Sequence, residues 1–195
     1  MSPLYEPPIV FPFDAQTLTV GNLPTVTIPR TGTFPGAFNY FEFRYISRES
    51  PTGGSGLNQT AFLHFSINGD TTAGHHGDAF FQGFAGSTSS FGNATETSNL
   101  SDIRTGIQVG SGAAAGLWAV GYAQCIRYAD TRLNKQFLMM SSAIPKSDLA
   151  AGQGIFMIGG GVYYSTVAVT SVLVGMTAGF TNFAIGTTFL SYLWG

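Results

Sequence analysis

The sequence predicts an all-β fold, a β-sandwich preceded by an extended, proline-rich N-terminal arm. Three observations predict it. Apolar residues alternate with period two and never settle into a sustained 3.6-residue rhythm. The turns are rich in glycine, which makes up 26 of the 195 residues. Seven of the nine prolines crowd into residues 1–36, where a missing ladder donor and an extended preceding residue exclude a helix or a central strand.

Residues 1–36 are therefore read as the arm and residues 37–195 as the sandwich. Leu4, Tyr5, Ile9, Val10, Phe11 and Phe13 would be costly to leave in water, so they are the candidate anchors to a partner. The alternative is that the arm packs on its own domain as an edge strand, where proline is tolerated. Leu18–Val20 and Thr25–Ile28 are expected to form short strands around the Gly21-Asn22 turn. From Phe38 onward Phe41, Phe43 and Tyr45 fall on one face, with Tyr40, Glu42, Arg44 and Ile46 on the other. Past the turn-rich Ser50–Gly56, Leu63, Phe65 and Ile67 alternate with Phe62, His64 and Ser66, and Asn68-Gly69-Asp70 ends that strand. Gly83–Ser101 is polar and glycine-rich, so a long surface loop is expected, with short strand pieces around Phe84 and Phe91. Ile103–Val109, Ala115–Ala129, Gln136–Met140, Gly161–Val174 and Thr187–Leu193 supply further strands, and Ile144–Leu149 a single helical turn. The total is seven or eight strands, with no internal repeat.

No charged residue follows Asp148, which invites a membrane helix over Gly154–Val174. Gly159-Gly160-Gly161 interrupts that run, and Val162, Thr166, Val167, Val169, Thr170, Val172 and Val174 give it a β-branched density that favours strand. Hydroxyl residues dilute it and no Lys or Arg flanks set an orientation. Buried strands are expected, and no membrane partner.

Only 9 % of residues are charged, against about 25 % in ordinary soluble domains. So little charge predicts a homo-oligomer whose flanks are covered by identical neighbours. A formal net charge of −2 with eight scattered Lys and Arg argues against nucleic acid as a partner. Cys125, the one cysteine, is expected to be a small buried hydrophobe. The N-terminal residues carry neither a basic leader nor an apolar core, which predicts synthesis in a cytoplasm without export. The tripeptides beginning at Asn58, Asn93 and Asn99 are then merely polar loop residues.

Polar groups crowd only in Asn68–Asp78. Adjacent His75 and His76 on an extended chain point to opposite faces, and neither a zinc set nor a calcium-loop alternation is complete. An exposed turn is expected there, with no metal and no cofactor. The chain has no nucleophile elbow, zinc-protease helix or phosphate loop, so it is expected not to be an enzyme.

At the C-terminus, Thr170–Val174, then Asn182, Phe183, Gly186, Thr187 and Phe189, and the close Tyr192–Gly195 resemble the ending of many small tailed-bacteriophage virion proteins described as head decoration (cement) or tail-fibre components. Those end in a β-branched strand, an Asn-Phe-x-x-Gly-Ser/Thr-x-Phe loop and a terminal Leu-Tyr-Gly. Here Ser191-Tyr192-Leu193-Trp194-Gly195 replaces the shorter ending, so the last strand is expected to run longer or bulge. The resemblance spans residues 170–195 and implies a jelly-roll-like, commonly trimeric virion protein, made in a bacterial host cytoplasm. The expected role is capsid decoration, with the arm lying between major capsid subunits. The alternative is a tail-fibre or receptor-binding component that recognises host-surface glycan. Within the motif, Gly186 is expected to allow a tight re-entry into a strand, Asn182 to bond a turn, and Phe183 and Phe189 to plug the sandwich end.

Overall fold

The alternation of Phe41, Phe43 and Tyr45 with Leu63, Phe65 and Ile67 builds the centre of the molecule, where all six side chains are buried. Phe43 meets Phe65 edge-on at 4.8 Å and stacks on Phe189 at 5.6 Å. In the computed structural model residues 10–21, 23–50, 60–85, 90–110, 116–143, 154–176 and 182–195 are described. Among them run twelve strands: β1 (Val10–Thr17), β2 (Val26–Ile28), β3 (Tyr40–Ser47), β4 (Thr60–Ile67), β5 (His76–Ala85), β6 (Ser90–Leu100), β7 (Ile103–Val109), β8 (Ala119–Ile126), β9 (Lys135–Ala143), β10 (Gly154–Tyr163), β11 (Val172–Met176) and β12 (Thr188–Trp194). The ladders between them are antiparallel. They form an eight-stranded sheet in the order β1-β12-β3-β8-β9-β10-β5-β6 and a four-stranded sheet in the order β2-β11-β4-β7. The fold is an all-β sandwich.

Within these orders lies the jelly-roll arrangement of two four-stranded sheets. The quartet β1-β12-β3-β8 faces β2-β11-β4-β7, and the chain changes sheet between β1 and β2, β2 and β3, β3 and β4, β4 and β5, β6 and β7, β7 and β8, β10 and β11, and β11 and β12. Two further strand pairs are inserted, β5 with β6 between β4 and β7, and β9 with β10 between β8 and β11. Both join the larger sheet beyond β8, so a four-stranded wing, β9-β10-β5-β6, extends it on one side. The smaller sheet reaches under this wing through β7, which packs against β8, β9, β10 and β5.

Glycines let β7 come close. A Cβ on Gly106 of β7 or Gly121 of β8 would overlap the Tyr45 ring, and one on Gly161 of β10 would overlap Ile103. Tyr45 fills the space these glycines leave, and its hydroxyl points to the Ile107 carbonyl at 3.4 Å. Burial holds that phenol well above its ordinary pKa. Beside it, the Ile107 N–H donates to the Ser141 hydroxyl at 3.0 Å, tying β7 to β9 across the layers. The triple glycine that interrupts the apolar C-terminal run thus lies in a strand, and no helix of the described residues is long and apolar enough to cross a membrane.

Several sequence expectations need correction. Residues 10–36 belong to the sandwich rather than to a free arm. β1 is the edge strand beside β12, and a register shift between Pro12 and Asp14 absorbs the proline. Buried Gln16 donates to the Thr27 carbonyl at 2.9 Å, joining β1 to β2, and buried Phe34 lies 4.4 Å from Phe41. No strand forms at Leu18–Val20, which follow the end of β1 at Thr17. Gly83–Ser101 is no long loop: β5 runs to Ala85 and β6 from Ser90 to Leu100. Period-two alternation of apolar residues is absent there because β6 lies at a sheet edge, where a polar, threonine-rich strand is tolerated. Gly161–Val174 divides between the end of β10 and β11, with Tyr164–Ser171 as the crossing between sheets. The helical turn at Ile144–Leu149 lies outside the described residues.

Gly106→Ala should destabilise the fold by about 1–3 kcal/mol, the usual cost of overpacking a filled core, read as a lowered urea midpoint at unchanged slope. Combined with Tyr45→Phe, which removes the overlapped hydroxyl, the loss should be less than the sum of the two single changes; strict additivity would show that the two residues do not press on each other.

Candidate assembly surface

The C-terminal motif is structural. Phe183 is fully buried, bridges Leu23 and Glu49, and meets Phe189 edge-on at 5.3 Å. The Asn182 carbonyl accepts from the Ser50 N–H at 2.8 Å. Gly186 has φ +89°, a left-handed turn from which β12 starts, and its N–H donates to the Leu18 carbonyl. Thr187 is buried beside it, and Tyr192 lies on the outer face of the sheet under the Arg44 guanidinium, 4.9 Å from the ring centroid. These described motif residues thus tie the start of β12 to Leu18, Leu23 and Glu49–Ser50.

Of the candidate anchors, Leu4, Tyr5 and Ile9 lie outside the described residues. Val10 and Phe11 belong to β1. Phe13 is partly exposed, with its ring 5.7 Å from Phe34, so it leans on the chain's own core. The three described candidates thus lie on the edge strand β1.

The polar segment Asn68–Asp78 is only half an exposed turn. Asn68 and Gly69 take left-handed φ values of 56° and 69°, and Asp70 accepts from His75 Nδ1 at 2.6 Å and from the Tyr163 hydroxyl at 2.9 Å. The His75 contact, with help from the Thr72 N–H, holds the Asp70 carboxyl well below the usual carboxylate range. His75 faces solvent while His76 points inward, stacked on Tyr163 at 4.9 Å and fully buried. Neither His76 ring nitrogen has a hydrogen-bond partner in good geometry. Burial pushes its pKa below the ordinary histidine value, against the upward pull of Asp70 and Asp102. Asp78 is buried too, paired with Arg104 through its side chain and backbone N–H. His64 bonds Asp102 at 2.7 Å nearby. Among the described residues no group of three or more such side chains could hold a metal ion. Cys125 is buried, and burial raises its thiol to about 12.

The surface that sequence reasoning missed is the outward face of the larger sheet. On β9, burial alternates without a break from Lys135 to Ala143, so Leu138 and Met140 point outward at 51 % and 42 % exposure. On β10, Phe156 and Ile158 do the same, and on β5 Phe81 stands 59 % exposed. Register aligns these side chains. Tyr122, Met140, Ile158 and Phe81 lie opposite one another across four adjacent strands, and Ile46, Val120, Ser142 and Phe156 form the neighbouring row. Leu138 pairs with Gln124, and Tyr40 with Ile126, to continue the panel toward the other strand ends. Among the described side chains, the ionised ones on these rows from β12 to β5 are Glu42 and Arg44. Glu42 is 4 % exposed although it points outward, covered by Arg44, which donates to it, and by the Gln124 amide at 2.6 Å. The panel is thus apolar and internally neutral.

A signal for this panel was present in the sequence. The stretches that became β8, β9 and β10 are apolar at both parities, the mark of strands covered on both faces. The smaller sheet covers only one face.

Comparisons with protein-family models, with curated proteins and with solved structures return no match.

His76 generates a pH prediction. Its folded pKa lies below its unfolded value of about 6.5, so unfolding takes up a proton and stability is lost as pH falls below that value. Wild type should therefore lose more stability between pH 7 and pH 5 than His76→Phe, which keeps the stack on Tyr163. Equal losses in chemical unfolding curves would show that His76 titrates freely in the folded state.

Proposed function

We propose that this chain is a structural subunit of a tailed-bacteriophage virion, a capsid decoration protein that stabilises the head by binding major capsid subunits and carries out no catalysis. The supporting observation is the apolar outer panel: contiguous exposed apolar surface of this extent marks a site of protein contact, and it lies where a subunit can be covered by its neighbours. The jelly-roll order and the C-terminal motif are in keeping with a virion protein. Leu4, Tyr5 and Ile9, ahead of the edge strand β1, remain the candidate capsid anchors. Self-association would strengthen their grip by linking several weak contacts.

Purified protein added to heads that lack it, from the virus whose genome encodes it, should bind at a fixed number of copies per capsid subunit and raise the temperature at which the heads rupture. Removing residues 1–9 leaves β1 and its pairing with β12 in place, and should abolish head binding while the far-ultraviolet dichroism spectrum is unchanged. Label found only at the tail tip would overturn the decoration role. A second role, glycan recognition by a tail component, is favoured by a polar pocket of about 440 Å3 lined by Phe38, Asn39, Arg127, Asp130, Thr131 and Arg132. Saturable binding of host-surface polysaccharide, lost in Arg127→Ala, would support that role instead.

A further inference from the structure

We infer that the outer panel of the larger sheet is covered by the same panel of a second copy of this chain, in a face-to-face, two-fold contact. The assignment presupposes the assembly role proposed above and names its partner. Three features select a copy over other occupants.

The first is charge. Along the rows from β12 to β5 the ionised side chains are Glu42 and Arg44, which neutralise each other within one subunit. Two such panels meet without net repulsion, whereas a charged partner would find no counter-charge to pair with. The second is area. Six strands, β12, β3, β8, β9, β10 and β5, at about 4.8 Å spacing and four outward rows at about 6.7 Å give a patch of about 800 Å2, the share each partner contributes to a stable interface of standard size. The third is chemistry. Leu, Ile, Val, Met, Phe and Tyr side chains, with Thr188, Gln124, Gln136, Ser142 and glycines between them, stand off a pleated surface, and two such surfaces can pack across about 10 Å as the inner faces of a sandwich do. A second copy supplies a surface of the same pleat and the same twist.

The centre of the panel is the line Tyr122, Met140, Ile158 and Phe81. In an isologous contact residue i meets j and j meets i, so one substitution is felt twice. The trimer implied by the C-terminal resemblance would need a different, heterologous contact.

Sedimentation velocity of the full chain over a hundredfold concentration range tests the assignment. Wild type should run as a dimer that dissociates on dilution. Met140→Lys and Ile158→Lys should each shift it to monomer by at least tenfold in dissociation constant, and both should keep the wild-type thermal midpoint of the isolated subunit, since the replaced side chains are already exposed. Leu138→Asp provides a second, oppositely charged probe of the same panel. A wild-type monomer at the highest concentration, or an oligomer of any size indifferent to all three substitutions, overturns the inference. A wild-type monomer that still binds heads, and loses that binding in Ile158→Lys, gives the panel to a capsid subunit: the second copy is then refuted while the decoration role stands. A dimer broken by these substitutions that binds no part of the particle refutes the decoration role and keeps the paired panel.

Discussion

A β-strand with apolar side chains on both of its faces must have both faces covered, and β8, β9 and β10 are strands of this kind. Their inner side chains, among them Cys125, Phe137, Met139 and Met157, are packed out of water. That cover is supplied by β7 on one side only. Each outward Leu, Ile or Met left in water forgoes roughly 25 cal/mol per Å2 of the surface that could be buried. The proposed pairing of the panel follows from this unmet requirement.

The inner cover depends in turn on how closely the layers approach. β7 reaches the larger sheet because Gly106, Gly121 and Gly161 remove side chains where two backbones or a backbone and a ring must meet. Tyr45 takes the volume between them, and Ile103 lies over Gly161. Close contact here keeps the small sheet, only four strands wide, effective over a sheet twice as wide. Polar groups in the same layers are matched rather than excluded. Lys135, buried at the start of β9, donates to the carbonyls of Asp130 and Leu133, and Asp78 is held by Arg104. Among the described residues the exceptions are Thr187 Oγ1, Trp194 Nε1 and both ring nitrogens of His76, a buried ring retained beside Tyr163 at a cost that grows with acidity.

Much of the sandwich was legible in the sequence because its central strands have one apolar parity each. Phe41, Phe43 and Tyr45, and Leu63, Phe65 and Ile67, announce their faces without ambiguity, and β7 falls on Ile103–Val109 as the pattern expects. β6 was not legible, since an edge strand of Ser, Asn, Thr and Gly has the composition of a loop and differs from one only by the neighbour it pairs with. β1 was obscured by Pro12, which a register shift at the edge accommodates. The apolar panel was hidden for another reason. Apolar residues at both parities in the wing strands read equally as complete burial, and only the sheet order reveals that nothing within the subunit lies over the second face. Burial of His76 was likewise unreadable, because it depends on which of two adjacent histidines enters the strand pointing inward.

The two inserted pairs come from separate parts of the chain and meet only through the ladder between β10 and β5, which joins Ile158 to Phe81. Strands distant in the chain are thus brought side by side at this one seam, and the outward rows run without a gap from β9 to β5 because it is paired. A substitution that unzips the β10–β5 ladder would therefore cut the panel in two while leaving the strands of the jelly-roll eight their own partners.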